Sequence, residues 1–160
     1  MSVNRHKPHI MVLPEDDANR QMAIGFERLV GTRQFQVLSP AGGWPKLGPK
    51  FQSAHIPEMR AIPSRFMVLL VDFDHARVRY DQIAKSVPAD LVSRVFILGV
   101  WTDPEDLKRG RTLESIGKDL ATACECDVSG EWDDPLLRHN APELERLRTT
   151  AHPILFEGSD

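Results

Sequence analysis

The chain has no apolar run close to the ~20 residues that a helical membrane span requires; its longest is Phe66–Val71. The polar N-terminus, Met1–Lys7, is followed by no signal-peptide core, because Ile10–Leu13 is too short. Cysteine is scarce. Cys124 and Cys126 are one residue apart, too close to bridge each other, and two thiols are an incomplete metal site. This usage predicts a reducing, cytoplasmic setting. An excess of either charge is lacking too: 20 Lys and Arg stand against 23 Asp and Glu, a net −3. No global basic field therefore advertises nucleic acid. The glycines of Ser39–Gly43 match neither the phosphate-binding P-loop nor the dinucleotide fingerprint. There are no repeats, low-complexity tracts or linkers. A length of 160 residues, 41% hydrophobic and 27% charged, predicts one domain with a proper core.

What is present is organised around Phe66–Asp74. The unbroken apolar run reads as a strand buried on both faces, as in a parallel sheet covered by helices. It ends on Asp72 and Asp74, with one residue between. Upstream, His9–Leu13 is a first strand, ending at Pro14-Glu15-Asp16-Asp17. Ala18, Met22, Phe26, Leu29 and Val30 then recur at helical spacing, with Asp16 or Asp17 as N-cap. Gln34–Leu38 is a second strand. Pro45, Pro49, Pro57 and Pro63 break up residues 44–63, leaving a short helix near Lys50–His55. Val78–Val87 is helical, Ala89–Ser93 adds a turn, and Val95–Val100 is another buried strand. Thr102 with Glu105 fits a capping box. Thr112–Cys124 is a helix, 125–138 a loop, and Asn140 with Glu143 caps a helix carrying Leu144 and Leu147. His152–Phe156 is a last short strand or a docked tail. The alternation predicts an α/β fold: a mainly parallel sheet of four to five strands flanked by helices. Residues 9–108 are its core and 109–160 a C-terminal helical extension.

Ligand chemistry on such sheets gathers at the carboxyl ends of the strands. Three acidic groups fall there: Glu15–Asp17, the pair Asp72 and Asp74, and Glu105. Each has a structural explanation as a cap or turn. Together they can also share a hard cation such as Mg²⁺ or Mn²⁺, which relieves their mutual repulsion and supports phosphoryl chemistry. Lys108, Arg109 and Arg111 follow Glu105, either as phosphate contacts or as a solvated basic turn.

A glutamate after the first strand and Asp-x-Asp after the third resemble the Toprim domain of topoisomerases, bacterial primases and small nucleases of the overcoming-lysogenization-defect group. The resemblance covers residues 9–108. It implies Glu15 as general acid/base and Asp72 and Asp74 as Mg²⁺ ligands, with Glu105 as an auxiliary ligand. Asp16 stands where many relatives have glycine, so either Glu15 or Asp16 is the functional acid. The single tyrosine, Tyr80, lies on a helix, which argues for hydrolysis over a covalent tyrosyl step. The resemblance further implies a nuclease acting on DNA or RNA, with an ABC-type ATPase partner, as in phage defence. Ile10–Gln21 is also similar to the start of two-component receiver domains; there Asp16 and Asp17 would bind metal and Asp72 accept phosphate. The remaining alternative is a non-catalytic α/β interaction module.

Overall fold

The computed structural model describes residues 3–157. Met1, Ser2 and residues 158–160 of the predicted single domain lie outside the described residues. Four strands form one all-parallel sheet in the order β2-β1-β3-β4, with β1 His9–Pro14, β2 Phe35–Val37, β3 Arg65–Leu70 and β4 Val95–Leu98. The α/β class and the flanking helices are as the alternation predicts.

The helices cover both faces. Met11, Leu13, Met67, Leu69 and Ile97 face one core, closed by α2 Trp44–Lys50, α3 Ile56–Ala61 and α4 Arg77–Ala84 through Leu47, Met59 and Ile83, with Phe51 from the turn between α2 and α3. Ile10, Val12, Val68, Phe96 and Leu98 face the other, where α1 Asp17–Val30 and α6 Ala141–Leu155 supply Ala23, Leu147 and Ile154. Next to it, α1 and α5 Leu113–Glu125 pack through Met22, Ile116 and Leu120. They approach closely at Gly25, where an added Cβ would lie 2.0 Å from the Glu114 carbonyl oxygen. A period-two split of a continuous apolar run thus serves two cores at once.

Several local expectations need correction. Residues 44–61 are helical almost throughout: α2 passes through a π-helical turn, Phe51–His55, into α3. Pro45 and Pro57 sit in first turns, where a missing N–H costs nothing. His152–Phe156 is neither strand nor tail, because α6 runs to Leu155. Leu144, Leu147, Ala151 and Ile154 keep its buried stripe going through Pro153. Asn140 caps nothing with its side chain. Its amide instead pairs with both backbone groups of Gly99, accepting at 3.1 Å and donating at 2.9 Å, and so ties the start of α6 to the end of β4. Thr102 does not form the capping box. Asp103 caps the 3₁₀ turn Pro104–Leu107 by accepting the Glu105 N–H at 2.8 Å.

Candidate metal centre

The parallel register brings the acids together. Pro14 lies beside Leu70, and the Glu15 N–H donates to the Leu70 carbonyl at 2.9 Å. Past β3 the chain keeps extending along β4: Val71 donates to Leu98 and Phe73 to Val100, each at 3.0 Å. Gly99 is required opposite, since a Cβ there would come within 1.6 Å of the Val71 carbonyl oxygen. The two strand ends therefore place Glu15, Asp16 and Asp72 side by side. One carboxylate oxygen from each lies within 4.8 Å of the others. Glu15 and Asp72 are buried, 5% and 9% exposed.

Hydrogen bonds fix this group. A Glu15 carboxylate oxygen accepts the Asp72 backbone N–H. Asp16 is the N-cap of α1, accepting the Asn19 N–H at 3.0 Å. The Asn19 side chain, fully buried, donates its amide to Asp16 at 2.9 Å and to Asp72 at 2.8 Å. Its Oδ1 is buried without a partner. Arg79 donates to the Asp72 carbonyl at 2.7 Å, lies 3.4 Å from the Asp74 carboxylate, and stacks over Trp44 at 4.9 Å. Among the described residues no arginine forms an ion pair with Glu15, Asp16 or Asp72.

The electrostatics follow. Burial pushes the Asp72 carboxyl up to about 7, and Glu15, Asp16 and Asp103 add to the rise against the Asn19 hydrogen bond. Burial also raises Glu15, against the pull of the Asp72 N–H. Three carboxylates that converge without an ion-pair partner among the described residues fit a small divalent cation.

The other predicted residues sit apart. Asp74 is on the same loop, but the backbone turns left-handed there (φ 49°, then 61° at His75), and its side chain is 70% exposed. Glu105 is exposed and pairs with Lys108 at 3.3 Å. Arg109 pairs with Asp134 at 2.6 Å, and Arg111 with Glu131 at 2.7 Å. Asp17, the metal ligand of the receiver alternative, lies out on α1 beside Arg20 at 3.6 Å, and Glu15 takes its place in the cluster. Sequence reasoning missed Asn19 and Arg79. Asn19 had a signal, being three residues past an N-cap aspartate; Arg79 had none. No family model, curated protein or solved structure matches the chain.

Proposed function

We propose that this chain is a Mg²⁺- or Mn²⁺-dependent, Toprim-like protein that cleaves phosphodiester bonds, with Glu15, Asp16 and Asp72 as its cation site. One observation carries the reading: the three carboxylates converge within 4.8 Å, two of them buried. Held this way without a cation, they repel one another. A bound Mg²⁺ would offset that charge and polarise a phosphate oxygen. The protein's own part is preorganisation. Asn19 holds Asp16 and Asp72 at a fixed separation, and Arg79 fixes the backbone after Asp72. Should Asp74 join Asp72 on the ion, as the Toprim pattern has it, Glu15, whose hold on a proton is strengthened by burial, becomes the residue that moves one. The phosphate backbone would meet Lys108 and Arg109, which remain 44% and 57% exposed within their ion pairs. With a net charge of −3 the chain grips nucleic acid weakly alone, so the reading includes a partner, an ABC-type ATPase. It also places the chain in the cytoplasm, where Cys124 and Cys126 stay free. No helix of the described residues is long and apolar enough to cross a membrane.

Calorimetry with Mg²⁺ and Mn²⁺, on wild type and Asp72→Ala, followed by plasmid and RNA cleavage on the same samples, tests this. The expected result is binding and metal-dependent cleavage in wild type, both lost in the variant. No binding at ~10 mM metal would sink the cation site, since oxygen-ligand sites this weak have no use in a cell. Co-purification of a tagged chain with an ATPase tests the partner.

A second reading has its own support. The order β2-β1-β3-β4 opens the doubly wound order 2-1-3-4-5 shared with receiver domains, and Asp74 stands outside the cluster. On that reading the Asp72 carboxylate attacks the phosphorus of a small phosphodonor and the donor's leaving group departs. Incubation with Mg²⁺ and acetyl phosphate would then leave a base-labile phosphate on Asp72 and no cleavage.

A further inference from the structure

β4 is an outer strand, and among the described residues no fifth strand pairs with it. Its outward backbone groups belong to Val95, Ile97, Gly99 and Trp101, every second residue, as the pleat requires. Buried groups of this kind need partners, and residues 136–146 supply them. Arg146 donates to the Val95 carbonyl at 2.6 Å, and Glu143 accepts the Ile97 N–H at 3.0 Å. The Leu136 carbonyl accepts the Trp101 N–H at 2.8 Å, and the Asn140 amide takes both groups of Gly99. Side chains at the start of α6 thus replace a neighbouring strand.

Asn140 differs from Glu143 and Arg146 in where its contact falls. Those two act where β4 pairs in register with β3, Val95–Leu98 beside Met67–Leu70, and where β1 supports β3 from the other side. The support from β1 ends at the Glu15 N–H on the Leu70 carbonyl. Beyond it, Arg79 holds the Asp72 carbonyl, and Val71–Phe73 is set against Leu98–Val100 by two hydrogen bonds, Val71 to Leu98 and Phe73 to Val100. Asp72 lies between the two donors, with its own N–H turned to Glu15. Gly99 lies between the two acceptors. It is pressed on the Val71 carbonyl on one side and fastened on the other to Asn140, which is 3% exposed. An asparagine amide offers one donor group and one acceptor, as a peptide unit does, so it satisfies Gly99 on both counts. Leucine has nearly the same shape and meets neither group; serine meets one at most.

We propose that Asn140 is a positioning residue of the acidic cluster: through Gly99 it fixes the strand end on which Asp72 is set. The seat of α6 thereby controls how the three carboxylates converge. None of those carboxylates is a hydrogen-bond partner of the Asn140 side chain, so its action on them runs through the backbone. That the cluster takes a cation rests on the preceding reading; that Asn140 sets Asp72 does not.

The test reads amide hydrogen exchange by NMR on the full chain in EDTA, and Mg²⁺ affinity by calorimetry on the same samples. In wild type the amides of Gly99, Val71 and Phe73 should exchange through one shared opening. In Asn140→Leu and the milder Asn140→Ser, each checked for folding by thermal melting, Val71 and Phe73 should exchange about tenfold faster relative to the amides of β1, and Mg²⁺ should bind about tenfold more weakly. Glu143→Ala is the matched control. It too strips an outward N–H of β4 of its acceptor, at Ile97, and should leave the Val71 and Phe73 rates and the Mg²⁺ affinity within about twofold. Val71 and Phe73 rates unmoved in the Asn140 variants, or moved equally by Glu143→Ala, would overturn the proposal. So would unchanged Mg²⁺ affinity in a variant whose Val71–Phe73 segment has loosened. If neither Asn140 variant folds, the wild-type rates decide: a shared opening supports the proposal, and independent opening of Gly99 overturns it. The two readings fail separately. Absence of Mg²⁺ binding by wild type would remove the cation site and leave the exchange rates to decide on Asn140. Mg²⁺ binding with unmoved exchange would do the reverse.

Discussion

The two ends of β3 both bury a charge, and they bury it differently. At the amino end Arg65 is 2% exposed. Its guanidinium reaches Glu58 at 2.7 Å and donates to His9 Nε2 at 3.0 Å. Burial keeps His9 from protonating, so its Nδ1–H donates to the Lys7 carbonyl at 2.8 Å and Nε2 accepts. Every charge there has its answer within the chain. At the carboxyl end Asp72 is 9% exposed and faces Glu15 and Asp16, with one neutral amide between. A buried charge with its partner encoded nearby is architecture. One surrounded by its own sign is a site short of something the chain does not carry.

The largest break in this comparison is Asp72→Asn. In the folded chain Asp72 holds its proton up to about pH 7, while an unfolded aspartate releases it near 3.8. Between those values the folded state binds more protons, so without divalent ions stability falls as pH rises from ~4 to ~7 and stays low above. Asp72→Asn removes that fall and should be the more stable protein at pH 8, by on the order of a few kcal/mol. Saturating Mg²⁺ should reverse the ranking, because only wild type gains by binding. Urea melts at pH 4 to 8, in EDTA and in Mg²⁺, read both effects. Parallel pH curves for the two proteins would remove the case for an uncompensated site.

Arg65→Met should do the opposite at the other end. It leaves His9 Nε2 without a donor, and the half-exposed Glu58 rehydrates, so the cost is about 1–3 kcal/mol. That loss should be the same in EDTA and in Mg²⁺. A Mg²⁺-dependent loss would mean that the two ends are coupled through the strand.

Asn19→Ala tests the bridge. It removes the bond that opposes the rise of Asp72 and one donor to the α1 cap carboxylate. A stability loss of about 1–2 kcal/mol is expected. The pH at which the apo protein weakens should move upward, and Mg²⁺ affinity should fall without being abolished. Unchanged Mg²⁺ affinity would reduce Asn19 to a structural cap.

How much of this the sequence carried differs by element. The run Phe66–Val71 declared a buried parallel strand, because a strand covered on both faces has no polar alternation to obscure it. The helices α1 and α5 were legible for the opposite reason, since each has an apolar stripe recurring at helical spacing against a polar face. The end of α6 was not: Pro153 and the β-prone residues after it read locally as a break, while packing of Ala151 and Ile154 on the sheet keeps the helix going. At the site, the carboxyl ends of parallel strands put Glu15–Asp17, Asp72, Asp74 and Glu105 on one edge in the sequence reading, and of these Glu15, Asp16 and Asp72 converge. The separation of Asp74 was invisible, since it depends on a left-handed turn at Asp74 and His75 that no hydrophobic pattern encodes.

The smallest expected effect is the most discriminating between sequence motif and geometry. Asp-x-Asp makes Asp74 the equal of Asp72; the structure makes it an exposed partner of Arg79. Asp74→Asn should change stability by under ~0.5 kcal/mol, as an exposed ion pair contributes little. It should weaken Mg²⁺ binding less than about tenfold, through the loss of local negative charge rather than of a ligand. Glu105→Gln, in another exposed pair, is the control and should be silent in both. If Asp74→Asn instead abolishes binding as Asp72→Asn does, the loop must rearrange around the ion, and the Toprim-like pair, with Glu15 as acid/base, is the working set. If Asp74→Asn stays mild, the ligands are Glu15, Asp16 and Asp72, and the two acids that the motif treats alike divide between a buried ligand and a surface charge that steadies Arg79.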